Sequence, residues 1–208
     1  MNKTVELVMQ WGAFEEQFPK ASLEDFFRYQ LAIAEKPVPA VEQEGKLIPP
    51  LDGRLLILLR RIGKFHMAYS NKALEGTGFD QIEEFGILVT IHNMGNPIKS
   101  EAIYNNIIEL SSGTNMLIRM KKRGLVTEDE DIDDKRVKRL KVTPKGEKAL
   151  QTAKEQVQKV AYMMLHDLSD GDKLLCIQLL KPIDKRFSGM YQKQKNKPFD
   201  DIYQENIT

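Results

Sequence analysis

The 208-residue sequence is poor in the groups that most often carry chemistry. Its single cysteine, Cys176, excludes an intramolecular disulfide framework and suits a reducing cytoplasm. It sits between Leu175 and Ile177, where a buried, inert structural thiol is expected rather than a redox sensor. The three histidines, His66, His92 and His166, are scattered, and none has a partner at the spacing of a zinc set. No metal and no cofactor are therefore expected. There is no nucleophile–base–orienter set and no phosphate loop, so an enzyme is not expected either. No apolar run is long enough to span a bilayer, and Glu6, Glu15 and Glu16 interrupt the start as a signal peptide would not. A cytoplasmic protein with no membrane contact follows as the expectation. Net charge is also lacking: 29% of residues are charged, yet the signs cancel to +1. Any nucleic-acid partner must then be announced by local clustering of cations, not by the total.

What is present is apolar periodicity. Residues 1–36 read as two helical pieces, the first with Leu7, Trp11, Phe14 and Phe18 on one face, the second opened by Ser22 and Asp25 as a capping pair. So much aromatic surface must be covered by the same subunit, by a dimer partner that the segment embraces, or by a ligand. Residues 37–53 carry Pro37, Pro39, Gly45, Pro49, Pro50 and Gly53 and read as a linker. Arg54 to Leu74 reads as a long amphipathic helix, and Asp80 with Glu83 as the capping pair of the next, through Ile82, Phe85, Val89 and His92. A short helix through Ala102, Ile103 and Ile107 follows. Gly146 to Leu168 is helical, and Ser169 with Asp172 caps a last helix that Pro182 should kink or end. Residues 191–208 are polar and read as a flexible, frayed tail.

The stretch from Leu110 to Gly146 organises the chain. At about 100° per residue, Gly113, Met116, Leu117 and Met120 fall on one side of a helix. Ser111, Thr114, Asn115, Ile118, Arg119 and Lys122 fall on the other. The first face suits a core. The second carries hydroxyls, an amide, cations and one aliphatic group, a set that can read base edges. Gly124 stands where a helix end favours positive φ. Leu125-Val126-Thr127 and Val137–Val142 read as two strands joined by a polar turn over Glu128–Asp134. No acid lies between Ser111 and Thr127 or between Lys135 and Lys145. A helix followed by a cationic hairpin is a recognition helix with a wing.

Two motifs make the reading specific. Arg123-Gly124-Leu125-Val126 closes the helix, and Asp134-Lys135-Arg136 is followed by Val142-Thr143-Pro144-Lys145-Gly146. In this order and separation they resemble the winged helix-turn-helix of the multiple antibiotic resistance regulator (MarR) family, whose wing reads Asp-x-Arg and then Leu-Thr-x-x-Gly. Val142 replaces the leucine and keeps the position apolar. The resemblance runs from Leu51 to Met190 and does not cover the first fifty residues. It implies a mainly α fold with a small two- or three-stranded antiparallel β-wing. The winged helix-turn-helix, residues 79–146, would be inserted between dimerisation helices at 51–76 and 147–190, with residues 1–50 as a helical extension and linker. It further implies a homodimeric, sequence-specific regulator on a pseudo-palindromic double-stranded DNA operator, more often a repressor. Ser111, Ser112, Thr114, Asn115, Ile118, Arg119 and Lys122 would face the major groove or its phosphates. Arg136 would enter the minor groove, and Lys138, Arg139 and Lys141 would meet phosphates. Asp134 would hold the wing through a nearby arginine. His66 and Tyr69 would border a cleft for a small aromatic effector. A winged-helix module used for protein contacts is the alternative.

Overall fold

The computed structural model describes residues 2–34, 49–131, 134 and 137–207. Most of the proline-bearing stretch, residues 35–48, and the wing residues Lys135 and Arg136 lie outside the described residues. The chain divides into two compact units, Met1–Pro50 and Leu51–Thr208.

The first unit is a helical hairpin of α1 (Lys3–Gln17) and α2 (Leu23–Ala34). Asn2 caps α1 by accepting the Thr4 N–H at 2.9 Å. Ser22 and Asp25 cap α2 reciprocally, each side chain taking the other's backbone N–H at 3.2 and 2.8 Å. The aromatic residues read from the sequence cover one another. Phe14 and Phe26 are buried, with ring centroids 5.4 Å apart, Trp11 edge-on to Phe26 at 5.2 Å and Tyr29 at 5.1 Å from Phe14. Such offset and edge contacts add to the burial of apolar area.

The second unit begins with α3 (Leu51–Ala73), three residues earlier than its apolar period suggests. Then come α4 (Ile82–Met94), α5 (Lys99–Tyr104) and α6 (Leu110–Lys122). Strands β1 (Val126–Glu130) and β2 (Lys138–Val142) form a two-stranded antiparallel sheet. An isolated bridge from Ile98 to Arg139 adds a third edge, with the Leu140 N–H donating to the Pro97 carbonyl at 3.0 Å. The chain closes with α7 (Pro144–Leu165), α8 (Asp170–Gln194) and α9 (Phe199–Ile207). The core joins Ile87, Leu88 and Ile91 of α4, Ala102 and Ile103 of α5, and Leu117 and Met120 of α6. Leu125, Val126 and Leu140 of the wing and Leu150 and Ala153 of α7 complete it. Each fully buried aliphatic side chain contributes about 1.5–3 kcal/mol. The mainly α architecture with a β-wing is as the sequence implied.

Four local expectations are corrected. Asp80 and Glu83 do not cap α4; the first amide of that helix, of Ile82, donates instead to the Asn71 side chain at the end of α3, at 2.7 Å. Strand β1 runs through Glu130, so Glu128, Asp129 and Glu130 are strand residues and not turn. Acidic residues have low strand propensity, but here each stands in register with β2: Asp129 opposite Arg139 and Glu130 opposite Lys138. Of the two outcomes expected at Pro182, the helix does not end there: α8 continues through it, because a long helix can give up one backbone bond and the freed Gln178 carbonyl belongs to an exposed residue. Residues 191–207 are helical over most of their length, not frayed. The α9 end is fastened to α8 by Gln194 to Glu205 at 3.0 Å and Arg186 to the Asn206 carbonyl at 2.5 Å, and to the connecting turn by Lys197 to Glu205 at 2.5 Å. Lys195 sits 4.4 Å above the Tyr104 ring.

Candidate nucleic-acid interface

The face of α6 divides as its apolar period requires. Gly113, Leu117 and Met120 are buried, and Met116 packs partly against the same core. Ser111, Ser112, Asn115, Ile118, Arg119 and Lys122 are exposed, and Thr114 is half-buried. At the helix end Gly124 takes φ +73°, a left-handed conformation that costs a glycine nothing. The Leu125 amide then returns to the Met120 carbonyl at 3.0 Å and aims the chain into β1.

The second motif turns out to be the joint at the base of the wing. The Thr143 hydroxyl donates to the Gly124 carbonyl at 2.7 Å, and the Thr143 N–H donates to the Leu125 carbonyl at 3.1 Å. The same hydroxyl accepts the Gly146 N–H at 3.0 Å and so caps α7, with Pro144 in its first turn. Gly146 is pressed against the Leu125 carbonyl so closely that a Cβ there would lie 2.2 Å from the oxygen. α6, the wing and α7 therefore meet on one threonine and one glycine.

The cations are less free than the sequence suggests. Arg119 reaches back to the wholly buried carboxylate of Glu84, 3.0 Å from its nearest oxygen, and to Asp80 at 3.6 Å. Arg123 completes the cluster, 2.5 Å from Glu84 and 2.8 Å from Asp80. Two guanidiniums from the end of α6 thus straddle two carboxylates at the start of α4. In the wing, Lys138 pairs with Glu130 and Lys141 with Asp129, both at 2.9 Å. Arg139 pairs with Asp131 and donates to the Asn96 carbonyl at 2.9 Å. At the wing tip the Asp134 N–H donates to the Asp131 carboxylate at 3.2 Å and its carbonyl accepts from Val137 at 2.8 Å; the neighbouring Arg136, the arginine of the wing motif, lies outside the described residues. Lys121 donates to Glu128 at 2.8 Å and holds that carboxyl below its ordinary range. A lowered carboxyl pKa stabilises the fold above the ordinary range, and the contribution is lost as pH falls through the lowered value.

The remaining expected sites are dispersed. His66 is half-buried and Tyr69 exposed on α3. The groove of about 440 Å³ beside that helix is lined by Met67, Ile82, Glu83, Gly86, Asn106, Ile107 and Ile108, not by His66 or Tyr69. A buried oxygen of Glu83 has no hydrogen-bond partner among the described residues, and nothing in the local sequence marks it. Cys176 is exposed, against the expectation of burial. The reason is that α8 shows its apolar side to solvent, with Leu174, Ile177, Ile183 and Phe187 all exposed. α3 does the same with Leu55, Leu58, Ile62 and Phe65. Among the described residues no group of His, Cys, Asp or Glu could hold a metal ion, and no helix is long and apolar enough to cross a membrane.

No protein-family model matches the sequence, and no curated protein matches it. Solved structures do match. A MarR-family transcriptional regulator from Rhodococcus sp. RHA1 is 21% identical with a TM-score of 0.59, covering 65% of this chain and 96% of its own. BpsR of Bordetella bronchiseptica, whose DNA binding is regulated by 6-hydroxynicotinic acid, is 18% identical with a TM-score of 0.58, over 63% of this chain and 98% of its own. The organohalide-sensing regulator RdhR, in its 2,4-dichlorophenol-bound form, is 19% identical with a TM-score of 0.64, over 74% of this chain and 93% of its own. With its exposed α6 face, its short wing and its flanking long helices, the chain has the fold of the MarR-type winged-helix regulators.

Proposed function

We propose that this protein is a sequence-specific double-stranded DNA-binding transcriptional regulator of the MarR family that acts as a homodimer. The observation that carries the reading is the α6 face: a hydroxyl, an amide, an aliphatic group and an ammonium exposed on a helix whose other side is locked into the core. That is the form in which a second helix of a helix-turn-helix enters the major groove. The exposed apolar sides of α3 and α8 supply the reason for a second copy, since contiguous apolar surface of this kind marks an interface. A twofold pair would set two copies of α6 about 34 Å apart, one DNA turn, and would read a pseudo-palindrome.

The effector site of this reading is the groove beside α3. Its apolar walls suit a small aromatic molecule. The ligands of BpsR and RdhR are small ring compounds of comparable size. A ligand bound between α3 and the start of α4 would shift the population of α6 spacings and release DNA, which makes repression the favoured sign.

Selection of bound duplexes from a random library by the full-length protein tests the reading. Recovery of an inverted repeat supports it. Failure to enrich any sequence would favour a winged helix used for protein contacts, a second reading that draws on one observation: every described wing cation is paired with a carboxylate. If the wing does meet phosphate, those acids attenuate it. The double variant Asp129→Asn, Glu130→Gln should therefore bind the selected duplex more tightly, with a log K against log salt slope steeper by about one to two units. Because exposed pairs contribute under about 1 kcal/mol, its thermal melt should hardly move. Unchanged or weaker binding would show that the wing does not touch the backbone. Arg136→Ala should do the reverse, weakening binding and flattening the slope.

A further inference from the structure

The reading face of α6 is narrower than the row of polar residues in its sequence. Ser111, Asn115, Ile118 and Lys122 follow one another at i, i+4, i+7 and i+11, a single line along the helix, and all four are exposed. Arg119 lies beside that line, but its guanidinium faces Glu84 and Asp80. Arg123 is engaged by the same two carboxylates, and Lys121 by Glu128. A guanidinium fixed between carboxylates does not present the donor fork that pairs with guanine O6 and N7. What remains toward a groove floor is the Asn115 amide and the Ile118 side chain, which is 45% exposed. The exposed Ser111 and Ser112 hydroxyls at the helix start suit any base and so select none, and Lys122 lies in the last turn, beside the phosphates. An amide matches the N6 and N7 edge of adenine, and an aliphatic group matches the thymine methyl.

We propose that α6 selects A·T pairs, with Asn115 reading an adenine and Ile118 packing on a neighbouring thymine methyl. Arg119 is a positioning residue that sets the helix on α4 and takes no part in base choice. The inference rests on the DNA-binding reading and adds the class of base pair at the centre of each half-site.

The test uses the wild-type full-length protein and its selected duplex. A·T pairs should occupy adjacent positions of each half-site. Replacing the thymines there by deoxyuridine removes only the methyl groups, and should weaken wild-type binding roughly four-fold per half-site, the worth of one buried methyl. Ile118→Ala should bind the thymine and uracil duplexes equally. Arg119→Gln should bind both more weakly by the same factor and select the same base pairs as wild type. A G·C centre whose preference disappears in Arg119→Gln would overturn the proposal, as would a uracil duplex bound as well as the thymine one by wild type. Failure of the wild type to enrich any sequence would instead remove the DNA-binding reading and this inference with it.

Discussion

Glu84→Ala should lower the unfolding free energy by about 3 kcal/mol, the low end of the loss expected when one member of a buried ion pair is removed. The low end applies because the surviving arginines are not sealed in: the side chains of Arg119 and Arg123 keep 44% and 26% of their exposure and can regain water. Asp80 belongs to the same cluster but is 59% exposed, so Asp80→Asn should cost under about 1 kcal/mol. Urea unfolding followed by circular dichroism separates the two. Equal losses would mean that the cluster is a surface network and that Glu84 does not anchor α6. DNA affinity should fall with Glu84→Ala beyond the loss of stability, because both arginines belong to the end of the helix proposed to enter the groove.

Gly146→Ala should be nearly as damaging, by about 2–3 kcal/mol, through overpacking against atoms that cannot move aside. The new Cβ would meet the Leu125 carbonyl oxygen at 2.2 Å and the Val142 side chain at 2.8 Å. That carbonyl already accepts from the Thr143 amide, so relief requires the base of the wing to open. Gly171→Ala is the matched control, since its nearest such neighbour is the Ser169 hydroxyl at 3.6 Å, and it should change stability by under about 0.5 kcal/mol. A Gly146→Ala protein as stable as wild type would show that the wing base is looser than its hydrogen bonds imply.

These two positions mark what could and could not be read from the chain. Gly146 was visible as part of a motif, although its reason, the close approach of a carbonyl from the preceding strand, was not. The buried side of α6 was legible because a helix period converts spacing directly into faces. So were the caps at Ser22 and Ser169, whose partners stand three residues away. Glu84 looked like any acid in the first turn of a helix. Its partners lie thirty-five and thirty-nine residues on, a separation that local pattern does not encode. The same limit hid the wing's charge balance: Asp129 and Glu130 read as turn because their strand pairing sets them opposite Arg139 and Lys138, which local pattern does not encode. Cys176 was misplaced for a different reason. An apolar helix period predicts a covered face, whereas α8 leaves Leu174, Ile177, Ile183 and Phe187 exposed.

The central claim is that two copies of α6 lie in successive major grooves of one duplex. Hydroxyl-radical footprinting of the wild-type protein on its selected duplex tests it most directly. The account predicts two protected patches related by a dyad and separated by about one helical turn, roughly 10 base pairs. A single patch, or uniform protection independent of sequence, would contradict it.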